Sequence, residues 1–485
     1  MTLLAGAAAV DITPPLPMDV LGYVRRAVAP RRALQPLLAT ACVLSSDGVT
    51  IAVIGADLVG LSTPVADRIR ARVAEAIHTQ PERVLLNSSH SHATPWPGAR
   101  IKLGGEHDGW TEAELRYWDT IPDLFASAAL QAVDRSTPAT VAGGVGRAPG
   151  IAVNRRERTP DGRTILGWNP DGVRDDTVVA IRVDRAGVAP PSSQAIATLV
   201  SFACHPVVLG PEVPLMGPDF VGPLRQMLSE DLRPGSVTVF LQGAAGDALP
   251  LEAFMDSVGA EQAFGERVAL EAAHAVADAE PRRLEIEKLD YGSVTPISLY
   301  RRTLAADQPD QALASVRRIV SLPLLEPPPV AELEAELAER RADLAGRIER
   351  GETRVTTNPV GYHIAWLEAM LADESAGGRA RAIDGEIWAA RIGDCAIVGA
   401  PGEIFGAIGT AVRAASPARV TLFAGYCNGV LGYVATPDEY PFGGYEPSVS
   451  HRGYGQPAPF SPEVAGIIER TAIELLGELF EGGRA

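Results

Sequence analysis

The chain has 485 residues, of which 46% are hydrophobic and 21% are charged, and this balance excludes a disordered protein. Its formal net charge is −17, because 60 acidic residues outnumber 43 basic ones. This acidity excludes nucleic acid and stable membrane association, so a small-molecule substrate is the expected partner. The length allows either one large domain with insertions or two domains, and it leaves a homo-oligomer open.

The cysteines and the N-terminus indicate the cellular compartment. The cysteines form neither a C-x-x-C motif nor a disulfide framework, so we expect buried free thiols at Cys42, Cys204, Cys395 and Cys427. Residues 1–10 are apolar but have no basic n-region, and they lead directly into a first strand and turn, unlike a signal peptide. No apolar stretch reaches transmembrane length. The sequence therefore predicts a cytoplasmic protein.

Short β-rich runs alternate with longer helical patterns along most of the chain. The predicted strands are at 50–56, 84–86, 140–145, 178–183, 195–203 and 237–241. The predicted helices are at 64–78, 112–133, 220–232 and 259–279. This alternation predicts an α/β fold with a mixed β-sheet core flanked by helices, in which functional sites gather in loops at the carboxyl ends of strands.

The amino-acid composition changes at the start of the C-terminal part of the chain. A Pro-rich joint at 325–329 leads into a charged, helix-favouring segment at 331–350, which predicts a helical insertion at about 323–375. Such a segment suits a solvated helix or a lid, and a role in dimerisation is also open. The later elements are strands at 386–391, 395–399 and 420–424, a helix at 403–415 and a closing helix at 462–480.

Three histidines end apolar runs that are expected to be strands. His90 and His92 follow the run at 84–89, and His205 follows the run at 196–204. Alternate residues of an extended chain share one face, so His90 and His92 can point into the same cleft. A His-x-His pair alone is as consistent with polar loop chemistry as with metal binding.

A carboxylate and a phenol complete the candidate metal site. Glu403 stands where a strand turns into a helix, and taken alone it is first of all a cap or a complement to the helix dipole. Together with His90 and His205 it forms a set that suits a catalytic zinc with one position left for water. Tyr433 lies in a Gly-rich loop, where an aromatic usually packs over a turn, and it could be a fourth ligand.

Three further residues are candidates for substrate chemistry. His92 could orient a metal ligand without binding the metal itself, or it could stabilise charge on the substrate oxygen. Arg155 could hold a substrate carbonyl or carboxylate, although ordinary surface ion pairs are commoner for arginine. Asp219 could be the general base, as could Glu403, and it is equally suited to cap a helix.

Several motifs, taken in order, resemble those of the large N-terminal catalytic domain of the neutral/alkaline (non-lysosomal) ceramidase family. They are N-S-S-H-S-H at 87–92, N-R at 154–155, F-A-C-H at 202–205, G-A-A-G-D at 243–247, P-G-E at 401–403 and the stretch at 425–440. The resemblance implies a single large catalytic domain over 1–485 with that family's fold. It also implies amide-bond hydrolysis with Zn²⁺ as the cofactor.

The resemblance assigns roles position by position. The residues that contact the reacting carbonyl or its oxyanion would be His92 and Arg155. The zinc ligands would be His90, His205, Glu403 and Tyr433.

The chain departs from this family in two respects. Leu249 occupies the position of a serine that is discussed as a nucleophile, so a serine acyl-enzyme is excluded there and zinc-bound water is favoured. We also expect neither the C-terminal immunoglobulin-like domain nor a secretion signal, so ceramide itself is not the expected substrate.

The sequence thus predicts a zinc-dependent hydrolase that cleaves an amide bond of a small soluble substrate by metal-activated water. An esterase or lactonase on the same zinc site is an alternative, because both reactions pass through the same tetrahedral geometry. A catalytically inactive binding protein on the same scaffold is another, suggested by the missing serine. The irregular loops at 98–109 and 438–455 are expected to line the pocket and set its preference.

Overall fold

The structure, a computed structural model, describes residues 2–23, 26, 29–95, 111–187, 194–279, 283–289, 297–306 and 311–481. The loop expected at 98–109 lies outside these ranges. The strands are β1 (Leu4–Asp11), β2 (Arg32–Ala33), β3 (Leu38–Ser46), β4 (Val49–Ala56), β5 (Val84–Ser88), β6 (Thr137–Arg147), β7 (Ala152–Arg158), β8 (Thr164–Asn169), β9 (Thr177–Arg185), β10 (Ala195–Phe202), β11 (Leu215–Met216), β12 (Val237–Gln242), β13 (Ala248–Pro250), β14 (Leu284–Leu289), β15 (Leu299–Leu304), β16 (Leu313–Pro323), β17 (Ala382–Ile392), β18 (Cys395–Gly399), β19 (Glu403–Ile404), β20 (Val420–Ala424) and β21 (Tyr433–Val434).

The helices occupy the longer segments between these strands. They are α1 (Thr63–Ala76), α2 (Glu112–Asp134), α3 (Val221–Gln226), α4 (Ala260–Ala277), α5 (Val330–Glu349), α6 (Arg354–Ser375), α7 (Gly406–Ala415), α8 (Tyr445–Ser448) and α9 (Glu463–Glu481). Short 3-10 helices lie at Pro81–Arg83, Pro437–Phe442 and Ser450–Tyr454, and a π-helical turn lies at Met227–Leu232.

Two mixed sheets form the centre of the molecule. The larger one has the strand order β12-β10-β9-β6-β1-β3-β4-β5, and its parallel pairs are β10 with β12 and β4 with β5. The smaller one has the order β16-β17-β18-β20, in which only β18 and β20 run parallel. The predicted α/β fold with a mixed sheet is therefore confirmed.

The period-two pattern of the strands sorts their side chains into layers. In β3, Cys42 and Leu44 belong to an apolar cluster shared by the two sheets, whereas Ala41 and Val43 pack toward α1 and α2. Further along the larger sheet, α3 and α4 cover the same face, and α7 and α9 cover the outer face of the smaller sheet. The result is a four-layer arrangement of helices, sheet, sheet and helices.

Two expected helices differ from the structure. The helix expected at 403–415 begins only at Gly406, because the backbone of Glu403 and Ile404 instead pairs with β21. The helix expected at 220–232 is α-helical only as far as Gln226 and then continues as a π-helical turn. The four cysteines are buried and free, as expected.

The helices α5 and α6 lie between two strands that pair directly with each other. β16 and β17 are antiparallel over their full length, from Leu313 opposite Ile392 to Pro323 opposite Ala382. The two helices therefore leave the sheet and return to it at the same edge. In the part of the chain that the structure describes, no helix is both long and apolar enough to span a bilayer.

Glycines let helices lie directly on the larger sheet. A Cβ added to Gly6 in β1 would lie 1.9 Å from the backbone oxygen of Ala132 in α2. A Cβ added to Gly144 in β6 would lie 1.8 Å from the backbone oxygen of Ala275 in α4. Both contacts are with backbone, which cannot rotate away as a flexible side chain can.

We expect Gly144→Ala to lower the free energy of unfolding by about 2 kcal/mol, because overpacking at a rigid contact forces backbone shifts. Gly477→Ala is the matched control, since no atom lies within 4 Å of its added Cβ in α9 and alanine favours a helix. Denaturant titration measures both changes. Equal stability of the two variants would contradict the close packing of α4 on β6.

Candidate metal centre

Four side chains from distant parts of the chain meet beyond the ends of the strands. His90 follows β5 and His205 follows β10, while Glu403 and Tyr433 are direct register partners between β19 and β21. All four are buried. The Nε2 atoms of His90 and His205 lie 3.3 and 3.0 Å from Oε2 of Glu403, and the Tyr433 hydroxyl lies 3.4 Å from Nε2 of His205.

Backbone carbonyls fix the orientation of both histidine rings. Nδ1 of His90 lies 2.5 Å from the oxygen of Val59, and Nδ1 of His205 lies 2.7 Å from the oxygen of Ala245. A carbonyl oxygen only accepts hydrogen bonds, so Nδ1 carries the proton in each ring. In a neutral ring, Nε2 then presents a lone pair, which is the arrangement in which a histidine binds a metal.

These lone pairs face a carboxylate. Burial and, after it, the nearby Arg155 lower the pKa of His205 to about 4, so this ring is neutral at pH 7. Burial alone would raise the pKa of Glu403, but His90 and His205 outweigh it and hold that pKa well below its usual range. A neutral His205 ring presents its lone pair to the ionised Glu403 carboxylate, a contact that needs a proton or a cation between the two atoms.

A cation between these atoms would turn the repulsion into attraction. Ligands about 2.0 Å from a tetrahedral zinc lie roughly 3.3 Å from one another. The observed separations of 3.3, 3.0 and 3.4 Å among the four side chains agree with that spacing. Nitrogen and oxygen donors of this kind suit zinc, so the residues present fit the cofactor that the sequence predicts.

His92 joins this cluster, but not through an extended chain. β5 ends at Ser88, and His90 has a φ of 67°, in the left-handed region. Nε2 of His92 nevertheless lies 3.3 Å from Nε2 of His90, and ligand atoms of His90, His92 and His205 lie within 4.8 Å of one another. Gly22 permits this position, because a Cβ there would lie 2.3 Å from the His92 ring.

Arg155 lies beside the histidines and is held by a buried carboxylate. Its Nη1 is 3.1 Å from Nε2 of His205, and its Nε donates to Oε1 of Glu446 over 2.7 Å. The other oxygen of Glu446 accepts from Nη1 of Arg156 over 2.5 Å. Within the described residues, Nη2 of Arg155 and Nδ1 of His92 are buried without a hydrogen-bond partner. Nη2 of Arg155 is a donor, whereas the tautomer of the ring decides whether Nδ1 of His92 donates or accepts.

Asp219 lies apart from this cluster. Its two carboxylate oxygens accept hydrogen bonds from the backbone N–H groups of Leu209 and Phe220, over 2.8 and 2.7 Å. Its φ of 57° places it in the turn before α3. This geometry orders the segment after His205. Phe220 and not Asp219 is the N-cap residue of α3, so the predicted N-cap role is wrong, while the role of general base stays a prediction.

Leu249, at the position where the related family has a serine, is part of an apolar cluster. Leu249 is 4% exposed and packs with Val153 and Val207. A leucine side chain offers no atom that could attack an acyl carbon.

Buried side-chain amides hold the strand ends that surround the cluster. Asn87 accepts from the N–H of Gln242 over 2.7 Å and donates to the oxygen of Gly425 over 2.6 Å, which links β5, β12 and the end of β20. The amide of Gln242 donates to the oxygens of Ser89 and Cys204, over 3.2 and 2.8 Å. It therefore joins the two segments that lead to His90 and His205.

A third amide and two phenols extend this framework. Asn428 accepts from the N–H of Leu86 over 2.9 Å and donates to Oε1 of Glu386 over 2.7 Å. Tyr426 donates to Oε2 of Glu403 over 3.3 Å, and Tyr454 donates to its Oε1. Sequence reasoning assigned no role to these side chains, although 87–92 and 425–440 were among the motifs that carried the resemblance.

The fold is that of the neutral ceramidases. A neutral ceramidase from Pseudomonas aeruginosa superimposes on this chain with a TM-score of 0.66 at 18% sequence identity, covering 99% of this chain and 75% of that one. A ceramidase complexed with C2 gives a TM-score of 0.67 at 17% identity, covering 99% and 76%. No protein-family model and no curated protein sequence matches the chain. The resemblance expected from the motifs is therefore confirmed at the level of the fold.

We expect Gln242→Leu to lower the free energy of unfolding by about 3 kcal/mol, because it leaves the buried backbone oxygens of Ser89 and Cys204 without this donor. Gln226→Leu is the control, since that side chain is exposed. Thermal or denaturant unfolding compares the two variants. If both were equally stable, the amide framework would not hold the strand ends.

Proposed function

We propose that the protein is a zinc-dependent hydrolase that cleaves an amide bond in a small soluble substrate. Zinc would supply a Lewis acid for the substrate carbonyl and would lower the pKa of a bound water to about 7. The proposed ligands are His90, His205, Glu403 and Tyr433. We propose an amide rather than an ester or lactone as the bond that is cleaved, and only the likeness of the fold supports this choice. The assay below distinguishes the three kinds of substrate.

One observation carries this proposal. Nε2 of His205 and Oε2 of Glu403 lie 3.0 Å apart, both buried, with the proton of the ring committed to Ala245 on its far side. Two electron-rich atoms at this distance in a medium of low polarity repel each other unless a proton or a metal cation lies between them.

The chain's own residues would bind and stabilise the reacting group. His92 and Arg155 would donate hydrogen bonds to the oxygen of the tetrahedral intermediate, since His92 lies 3.3 Å from Nε2 of His90 and Arg155 lies 3.1 Å from Nε2 of His205. Either Glu403 or Asp219 would accept the proton, and the two oxygens of each carboxylate already accept hydrogen bonds. Leu249 excludes a covalent acyl-enzyme at its position, so water is the nucleophile.

The first experiment measures metal content and turnover together. Protein purified without chelator is expected to contain zinc, and it is expected to hydrolyse members of a panel of N-acyl amino acids and other acyl-amides. The panel includes esters and lactones of the same acyl groups. Zinc with ester or lactone turnover alone would correct the bond that is cleaved. Zinc without turnover of any member would favour a binding protein, and absence of zinc would overturn the proposal.

Substitution of the two neighbouring histidines separates a ligand from a residue that binds substrate. We expect His90→Ala to lose zinc, because it removes one of the two proposed nitrogen ligands. We expect His92→Ala to keep zinc and to lose on the order of 100-fold in kcat, the usual cost of one oxyanion donor. Plasma emission spectroscopy and steady-state kinetics measure both. Loss of zinc from His92→Ala would instead make the three histidines the ligand set.

Arg155→Met tests the second donor. We expect a fall in kcat of about 100-fold with zinc retained, because the substituted side chain keeps the length but not the charge or the hydrogen bonds. Arg158→Met is the control, since Arg158 pairs with Glu439 rather than with the cluster. Unchanged kcat in Arg155→Met would remove this residue from the proposed mechanism.

A further inference from the structure

The helix α6 provides part of the wall of the metal cavity. The side chain of Tyr362 lines a cavity of about 70 Å³ that is also lined by His90, His92 and Glu403. This cavity is smaller than two others on the molecule, of about 320 and 400 Å³. Tyr362, from the helical pair α5–α6, therefore lies beside the candidate metal centre, whose histidines follow the ends of strands.

Arg452 fixes this helical pair to the segment that contacts Glu403. Its guanidinium donates to Oε1 of Glu336 in α5 over 2.7 Å and lies 4.4 Å from the ring centroid of Trp366 in α6. Trp366 is fully buried, and its Nε1 donates to the oxygen of Gln456 over 2.8 Å. These contacts define where α6 lies relative to the cavity.

Tyr362 approaches the same segment closely. A Cβ added to Gly453 would lie 2.5 Å from the Tyr362 hydroxyl oxygen, so the space beside this glycine is filled by the phenol. Gly453 precedes Tyr454, whose hydroxyl donates to Glu403. The wall formed by Tyr362 is therefore in direct contact with the backbone beside the centre, and little room is left between them.

The lining of the cavity is rich in phenols. Tyr433, Tyr445 and Tyr454 line it together with Tyr362, and the ring centroids of Tyr433 and Tyr445 are 5.6 Å apart. Among the described residues only Leu21 and Val59 add large aliphatic surface to this lining. A long alkyl chain needs a continuous aliphatic surface, whereas phenols suit short groups that carry hydrogen-bonding atoms.

We propose that Tyr362 is a specificity-determining residue that closes the cavity above the metal centre and restricts the acyl portion of the substrate to short, polar groups. This inference rests on the proposed function, because it assigns the substrate class of the same site. It predicts that long-chain fatty acyl amides are excluded, and that the exclusion comes from the bulk of one aromatic ring on α6.

The test uses hydroxamates, which bind a catalytic metal without turnover. Isothermal titration calorimetry of the zinc-loaded full chain compares acetohydroxamate with dodecanohydroxamate, which differ only in alkyl length. The variants are Tyr362→Ala, which removes the ring, and Tyr362→Phe, which keeps its bulk. Tyr300→Ala is the control, since Tyr300 is 60% exposed on the hairpin of β14 and β15. The zinc content of each sample is measured in parallel.

We expect acetohydroxamate to bind the unmodified protein at least about 10-fold more tightly than dodecanohydroxamate. Tyr362→Ala should reduce this ratio, while Tyr362→Phe and Tyr300→Ala should keep it. Equal or tighter binding of the long chain to the unmodified protein would overturn the inference even if Tyr362→Ala failed to fold. An unchanged ratio in a folded, zinc-loaded Tyr362→Ala would also overturn it. Protein that takes up no zinc would instead overturn the proposed function, and this inference with it.

Discussion

Hydrogen bonding at the ends of the strands is the constraint on which the rest of the site depends. A β-ladder satisfies backbone groups only within the sheet, so the last residues of a buried strand need other partners. Asn87 and Gln242 supply both donors and acceptors, and each reaches more than one strand end. The two sheets contact each other mainly through apolar side chains. Polar links at this edge therefore set the relative positions of the loops that hold His90 and His205.

The charged side chains of the site form two groups, the arginines that pair with Glu446 and the residues around Glu403. Glu446 pairs with the guanidinium groups of both Arg155 and Arg156. The rings of His90 and His205 and two phenols surround the oxygens of Glu403. Burial of an anion costs several kcal/mol unless it is paired, so a cation at this place would stabilise the fold.

The strands and the fold class followed from local patterns in the sequence, whereas the grouping of His90, His205, Glu403 and Tyr433 was expected from the family resemblance. Apolar runs ended by a polar residue identified β5 and β10, and with them the segments that lead to His90 and His205. The register pairing of Glu403 with Tyr433 could not be predicted, since two-residue strands have no periodicity to detect. The contribution of α6 was also missed, because Tyr362 lies in a helix of ordinary amphipathic composition, far in sequence from every motif.

The pairing of β16 with β17 has a consequence for how proteins of this shape diversify. Since Pro323 and Ala382 are already opposite each other in the sheet, a tight turn could connect them without disturbing any ladder bond. The segment between them could be lengthened or trimmed without changing the ladder, provided that its contacts with Arg452 and Gln456 are kept. Evolution could thus change the substrate through the segment between Pro323 and Ala382, by altering the length of this segment or the aromatic ring of Tyr362.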